Sequence, residues 1–123
     1  MATTILIAED ELADLFKEIV TLGKDGQYQI ENAETGTEAV RKTRICAPDL
    51  IIMDLRLPRL NGVKAIKQIR QFNTEARILA VTAYTDKYTR QAAMDAGANA
   101  YLPKPFRIPD FLATIARLLE ESV

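Results

Sequence analysis

The chain has 123 residues, 48% of them hydrophobic and 27% charged, with 16 lysines and arginines against 17 aspartates and glutamates for a net charge of −1. That length suits one domain burying roughly two-thirds of the surface its unfolded chain exposes, and charge mixed in sign along the sequence gives no electrostatic case for nucleic acid. One cysteine excludes an internal disulfide or a CxxC redox pair, and the absence of histidine excludes Ser/His/Asp triads, histidine metal sites and phosphohistidine chemistry on this chain.

The opening MATTILIAEDE lacks the basic region of a signal peptide, and no run approaches the roughly 18 apolar residues of a membrane span, so the expected location is the cytoplasm, with no membrane contact. TILIA at 4–8 reads as a strand, followed at once by Glu9 and Asp10. Leu12, Leu15, Phe16 and Ile19 then fall at helical spacing. YQIENA at 28–33 reads as a second strand, and Ala39, Val40 and Thr43 mark a helix between Gly36 and Pro48, with Cys46 a small packing residue near its end. LIIM at 50–53 reads as a strand buried on both faces, running straight into Asp54. After Gly62 come Val63, Ile66 and Ile69 at helical spacing, then the strand RILAV at 77–81 ending at Thr82. Ala92, Ala93 and Ala96 lie on a helix with few large apolar residues, expected to be the least firmly packed. AYL at 100–102 precedes Lys104, and Phe111, Leu112, Ile115, Leu118 and Leu119 complete a last helix.

The order is (βα) five times, which implies an α/β fold with a five-stranded parallel sheet, right-handed crossovers and helices on both faces. Function in such sheets collects at the carboxyl ends of the strands. On that edge the pattern places Glu9, Asp10, Asp54, Thr82 and Lys104. Each has an ordinary structural reading: the acids of 9–11 as helix caps, Asp54 as a turn residue, Thr82 as a strand end or cap, Lys104 as a solvated charge, Tyr101 as half-buried strand filler. Their coincidence on one edge is what carries weight. Converging carboxylates repel, and a hard divalent ion held by one or two of them plus waters removes that cost.

Glu9-Asp10, DLIIMDLRLPRLNG around Asp54, VTAY with Thr82, and GANAYLPKPF with Tyr101 and Lys104 together resemble the receiver domains of two-component response regulators. The resemblance spans the whole chain, so residues 1–123 are read as one receiver domain. It implies a doubly wound, flavodoxin-like sheet of order 2-1-3-4-5. It implies that Asp54 becomes an aspartyl phosphate and that Mg2+, with Mn2+ as a substitute, is held by Glu9, Asp10, Asp54 and the backbone carbonyl of Arg56, Glu9 acting through water. Lys104 is then expected to pair with one phosphoryl oxygen and Thr82 to hydrogen-bond another, with a cis Lys104-Pro105 peptide fixing where the lysine points. Thr82 and Tyr101 are the implied switch pair, and Arg56 and Tyr84 occupy positions that tune the rate of slow self-hydrolysis.

Read this way the chain is a signalling phosphoacceptor that assists its own phosphorylation and autodephosphorylation, and not an enzyme acting on external substrates. With no GxxxxGK[ST] loop and no histidine, the phosphate is expected from a sensor histidine kinase or a histidine phosphotransfer protein. The expected readout is the surface of helix 4, strand 5 and helix 5, with Tyr84, Tyr88, Tyr101 and Phe106 around it, a monomer by default and a phosphorylation-dependent dimer as the alternative. The downstream protein partner stays open. A flavodoxin-like FMN binder wants a Ser/Thr/Gly-rich loop where AEDEL stands, and a haloacid-dehalogenase phosphatase wants a DxD motif after the first strand. A receiver-fold interaction module that is not phosphorylated is the remaining alternative.

Overall fold

The computed structural model describes residues 3–23, 28–83 and 87–121. Strands β1 (Thr3–Ala8), β2 (Tyr28–Ala33), β3 (Leu50–Asp54), β4 (Arg77–Thr82) and β5 (Ala100–Pro103) alternate with helices α1 (Ala13–Gly23), α2 (Gly36–Cys46), α3 (Gly62–Arg70), α4 (Lys87–Ala96) and α5 (Ile108–Glu121). All strand pairings are parallel, as expected from the (βα) repetition, and the order β2-β1-β3-β4-β5 is the one the resemblance implies. No described helix is long and apolar enough to cross a membrane.

Alternation along the strands divides the core in two. Ile5, Ile7, Leu50, Ile52, Leu79 and Val81 face one way, against Phe16, Ile19 and Val20 of α1 and Phe111, Ile115 and Leu118 of α5. Leu6, Ile51, Met53, Ile78 and Ala80 face the other, against α2, α3 and α4. The central strand β3 is therefore buried along its whole length, whereas the edge strand β2 buries only Ala33.

Two of the helix contacts expected around α1 differ. Leu12 precedes α1 and is 39% exposed, and Leu15 is 49% exposed, so the buried stripe of α1 is Phe16, Ile19 and Val20. The reason is local: the chain is still turning out of β1 at Leu12, whose amide is bonded to the Glu9 side chain. On α4 only Ala93 and Ala96 are buried, and Ala92 is exposed, in keeping with a helix that contributes little apolar surface.

The helix ends have explicit stops. Thr35 Oγ1 accepts from the Glu38 amide at 3.0 Å to start α2, and Ala47, in the left-handed region with φ 45°, closes it. Asn61 Oδ1 accepts from the Lys64 amide at 3.0 Å to start α3. Arg70 at the end of α3 ties that helix to the α4–β5 connection, donating to the Gly97 carbonyl at 3.0 Å, the Asn73 carbonyl at 3.2 Å and Asn99 Oδ1 at 3.0 Å. Burial, reinforced by the nearby Arg77 charge, lowers its pKa from the ordinary value.

Candidate functional site

Glu9 leaves the end of β1 and is 2% exposed. Its Oε1 accepts from the amides of Leu12 at 3.0 Å and Glu11 at 3.3 Å, satisfying backbone donors at the entry to α1. Its Oε2 is turned the other way and meets Lys104 Nζ at 3.1 Å. The capping role and the rim role therefore coexist in one side chain.

Asp54 closes β3 and is 5% exposed. Oδ1 accepts from the Arg56 amide at 2.9 Å, the local turn expected of an aspartate there. Oδ2 lies 3.3 Å from Lys104 Nζ. Asp54 is thus a turn residue and a rim residue at once, and Lys104 bridges it to Glu9. Asp10 is exposed beside them, and one carboxylate oxygen each from Glu9, Asp10 and Asp54 lies within 4.8 Å of the others. Burial, the hydrogen bond to Asp54 and the Asp54 charge raise the pKa of Glu9, burial being the largest cause; the Leu12 amide and Lys104 act against them.

Thr82 ends β4 fully buried, next to the Val81 that pairs with Asp54. Its carbonyl accepts from the Lys104 amide at 2.8 Å, so the strand carrying the hydroxyl also anchors the residue carrying the ammonium. The Lys104-Pro105 peptide is cis. Arg56 is exposed at the mouth, and Tyr101 is half-buried, with the Arg90 guanidinium 5.9 Å from its ring centroid. Tyr84 lies outside the described residues. Glu9, Asp10, Glu11, Leu12, Asp54, Arg56, Ala83 and Lys104 line a cleft of about 260 Å³. A larger cleft of about 420 Å³, between Ala47–Asp49 and Phe72–Ala76, lies at the opposite, amino-terminal end of the sheet and shares none of these groups. Chemistry rather than size marks the candidate edge.

Five candidate residues from four strand ends thus meet at one edge. This fold recurs among known proteins. The response regulator receiver domain profile matches residues 5–116. The chain belongs to the response regulator receiver domain family. It is 34% identical over 122 residues to the response regulator MprA of Mycobacterium ulcerans, covering 99% of this chain and 52% of that protein. The chain spans about half the length of the curated relatives it matches. Among solved structures, a CheY-like receiver domain from Methanospirillum hungatei superposes with a TM-score of 0.91 at 27% identity, over 99% of this chain and 97% of that one. The receiver domain of the sensor histidine kinase PA1611 from Pseudomonas aeruginosa, which holds a magnesium ion in its active-site cleft, superposes with a TM-score of 0.87 at 28% identity, over 98% of this chain and 99% of that one.

Two features of this receiver site escaped the sequence. Phe106, grouped by proximity with the tyrosines of a partner surface, is half-buried and stacked on Phe111 with centroids 4.7 Å apart. Phe16, read only as a helix core position, also lies 5.5 Å from Lys104 Nζ at its ring centroid. Helical spacing could reveal the apolar stripe but not which residue of it reaches the rim.

Proposed function

We propose that this receiver accepts a phosphoryl group on Asp54 from a phosphohistidine of a sensor histidine kinase or histidine phosphotransfer protein. The observation that carries the reading is the Lys104 ammonium bridging Asp54 and Glu9 with Asp10 alongside. A structural ion pair needs one carboxylate; three carboxylates grouped at a cleft suit a site made for a cation and an anionic group together.

The donor set fits a hard divalent ion, because carboxylate oxygens within 4.8 Å of one another can be reached partly directly and partly through water. Glu9, Asp10 and Asp54 would hold Mg2+, or Mn2+ in its place, with the Arg56 carbonyl as a further ligand. When bound, the ion supplies positive charge that offsets repulsion between the Asp54 carboxylate and the incoming phosphoryl oxygens. Asp54 forms the new O–P bond as the donor's N–P bond breaks, its electron pair passing to the imidazole nitrogen, which takes up a proton from solvent. Lys104, already directed at Asp54 Oδ2, pairs with the transferred group, and the buried Thr82 hydroxyl hydrogen-bonds another of its oxygens.

Thr82 and Tyr101 form the switch, Tyr101 moving inward as Thr82 turns to the phosphate, and the α4/β5/α5 surface is what a downstream protein reads. Tyr88 on that surface is 81% exposed. Arg56 at the mouth tunes hydrolysis of the acyl phosphate, with Tyr84 its partner in that role. We assign residues 1–123 to one receiver unit, monomeric before phosphorylation, working in the cytoplasm without direct contact to nucleic acid.

Acetyl phosphate or beryllofluoride with magnesium tests this. The expected results are a phosphoryl mass gain with acetyl phosphate and shifted amide resonances in α4 and β5 with either reagent, both abolished by Asp54→Asn. No mass gain and no spectral change would instead support a receiver-fold interaction module.

A further inference from the structure

We infer that Phe16 is a positioning residue for Lys104, its aromatic face forming one wall of the ammonium's seat. This rests on the phosphoacceptor reading for its consequence, though not for its geometry. An ammonium has three donor hydrogens and no acceptor. Two carboxylates, Glu9 at 3.1 Å and Asp54 at 3.3 Å, account for one side of Lys104 Nζ. On another lies the Phe16 ring, its centroid 5.5 Å away, within the range over which a ring quadrupole attracts a cation. The lysine side chain is only 18% exposed, so water screens this attraction less than at an open surface.

The ring is itself held. Phe16 is 2% exposed and packs at tilted angles against Phe111, 5.3 Å away, and Phe106, 5.8 Å away, which stack on each other. Phe106 follows Lys104 by two residues, so the segment that carries the lysine also supplies one side of the ring's socket. Glu9, the carboxylate on the opposite flank, binds the amides that lead into the helix carrying Phe16. Both flanks of the ammonium therefore belong to the β1–α1 segment, while its target belongs to β3. When a phosphoryl group reaches Asp54 and the cluster rearranges around a cation, the ion pair with Glu9 is open to exchange, whereas the ring contact is not. Phe16 then keeps the ammonium directed at Asp54.

The test grades the ring's electrostatics at nearly constant shape, by site-specific incorporation of mono-, di- and trifluorinated phenylalanine at position 16, alongside Phe16→Leu. Two readouts are taken. The Lys104 Hε and Cε resonances report the ring contact whether or not phosphate is accepted; the expected result is an upfield ring-current shift lost in Phe16→Leu. The rate of phosphorylation by acetyl phosphate at saturating magnesium should fall stepwise with fluorination, by about two- to fivefold at full substitution. In a Lys104→Met background the fluorinated series should have no further effect, because Phe16 acts through the lysine.

Thermal unfolding separates a packing role, since fluorination should leave the melting temperature nearly unchanged. Lys104 resonances unmoved by Phe16→Leu would overturn the inference, as would a flat phosphorylation rate across the series in a wild-type protein that takes phosphate. A wild type that takes no phosphate sinks the phosphoacceptor reading instead, and the resonances still decide whether Phe16 seats the ammonium.

Discussion

Glu9 spends one carboxylate oxygen on the amides entering α1 and the other on Lys104, in a position that water hardly reaches. Its raised pKa has a definite consequence for stability in the presence of a chelator. A carboxyl whose folded pKa lies above its unfolded value binds protons more readily in the folded state, so its contribution is fully present below about pH 4.5 and is lost as pH rises through the folded value. Glu9→Gln keeps an oxygen to accept the Leu12 amide but cannot ionise. Chelated wild type is therefore expected to lose stability relative to Glu9→Gln as pH climbs from 4.5 into the neutral range. Thermal melts across that range check it, and parallel pH profiles for the two proteins would refute it.

At the scale of the elements, the site depends on how closely α3 tucks under the end of β3. The Gly62 amide donates to the Leu55 carbonyl at 3.1 Å, and a Cβ on Gly62 would stand 2.6 Å from both the Asp54 carbonyl oxygen and the Leu55 Cα. Those are backbone atoms that cannot turn aside. Gly62→Ala gains at most about 1 kcal/mol of helix propensity, while overpacking of this kind costs about 1–3 kcal/mol. The expected net is destabilisation measurable by urea unfolding, together with weaker magnesium binding because the strand end bearing Asp54 is displaced. Undiminished stability would show that the approach is looser than these distances state. Gly36 has a similar neighbour: its Cβ would fall 1.7 Å from the Leu60 carbonyl oxygen, so the β3–α3 loop is pressed between the starts of two helices.

For the molecule as a whole, a divalent ion held at the cluster as proposed would bind the folded chain in preference to the unfolded one. With free magnesium a hundredfold above its dissociation constant, stabilisation of about 2.7 kcal/mol is expected. Calorimetry with and without chelator checks it, and the gain should shrink in Asp54→Asn and Asp10→Ala. A melting temperature indifferent to magnesium in all of these proteins would remove the metal from the proposal.

Much of the architecture was legible because strands buried on both faces, such as LIIM, must be apolar throughout, and because the (βα) alternation admits parallel pairing. The rim was legible for the same reason: Glu9, Asp10, Asp54, Thr82 and Lys104 each follow a recognisable apolar run, and the residue after a parallel strand lies on a known edge. Leu12 and Leu15 misled because a spacing of three and four identifies a stripe but does not fix its rotation or where the helix begins. Phe106 misled because nearness in sequence to the tyrosines says nothing about which face of the sheet its side chain joins. By itself, then, the sequence determined the order of elements, the family and the chemical character of one edge, since these depend on local periodicity and residue type. Only the tertiary structure decided that Glu9 caps a helix with one oxygen while meeting Lys104 with the other, that the Thr82 carbonyl anchors the lysine's amide, and that Phe16 faces the ammonium. Those are contacts across up to 95 positions of chain, set by the packing of α1 and α5 on one face of the sheet, which no local pattern encodes.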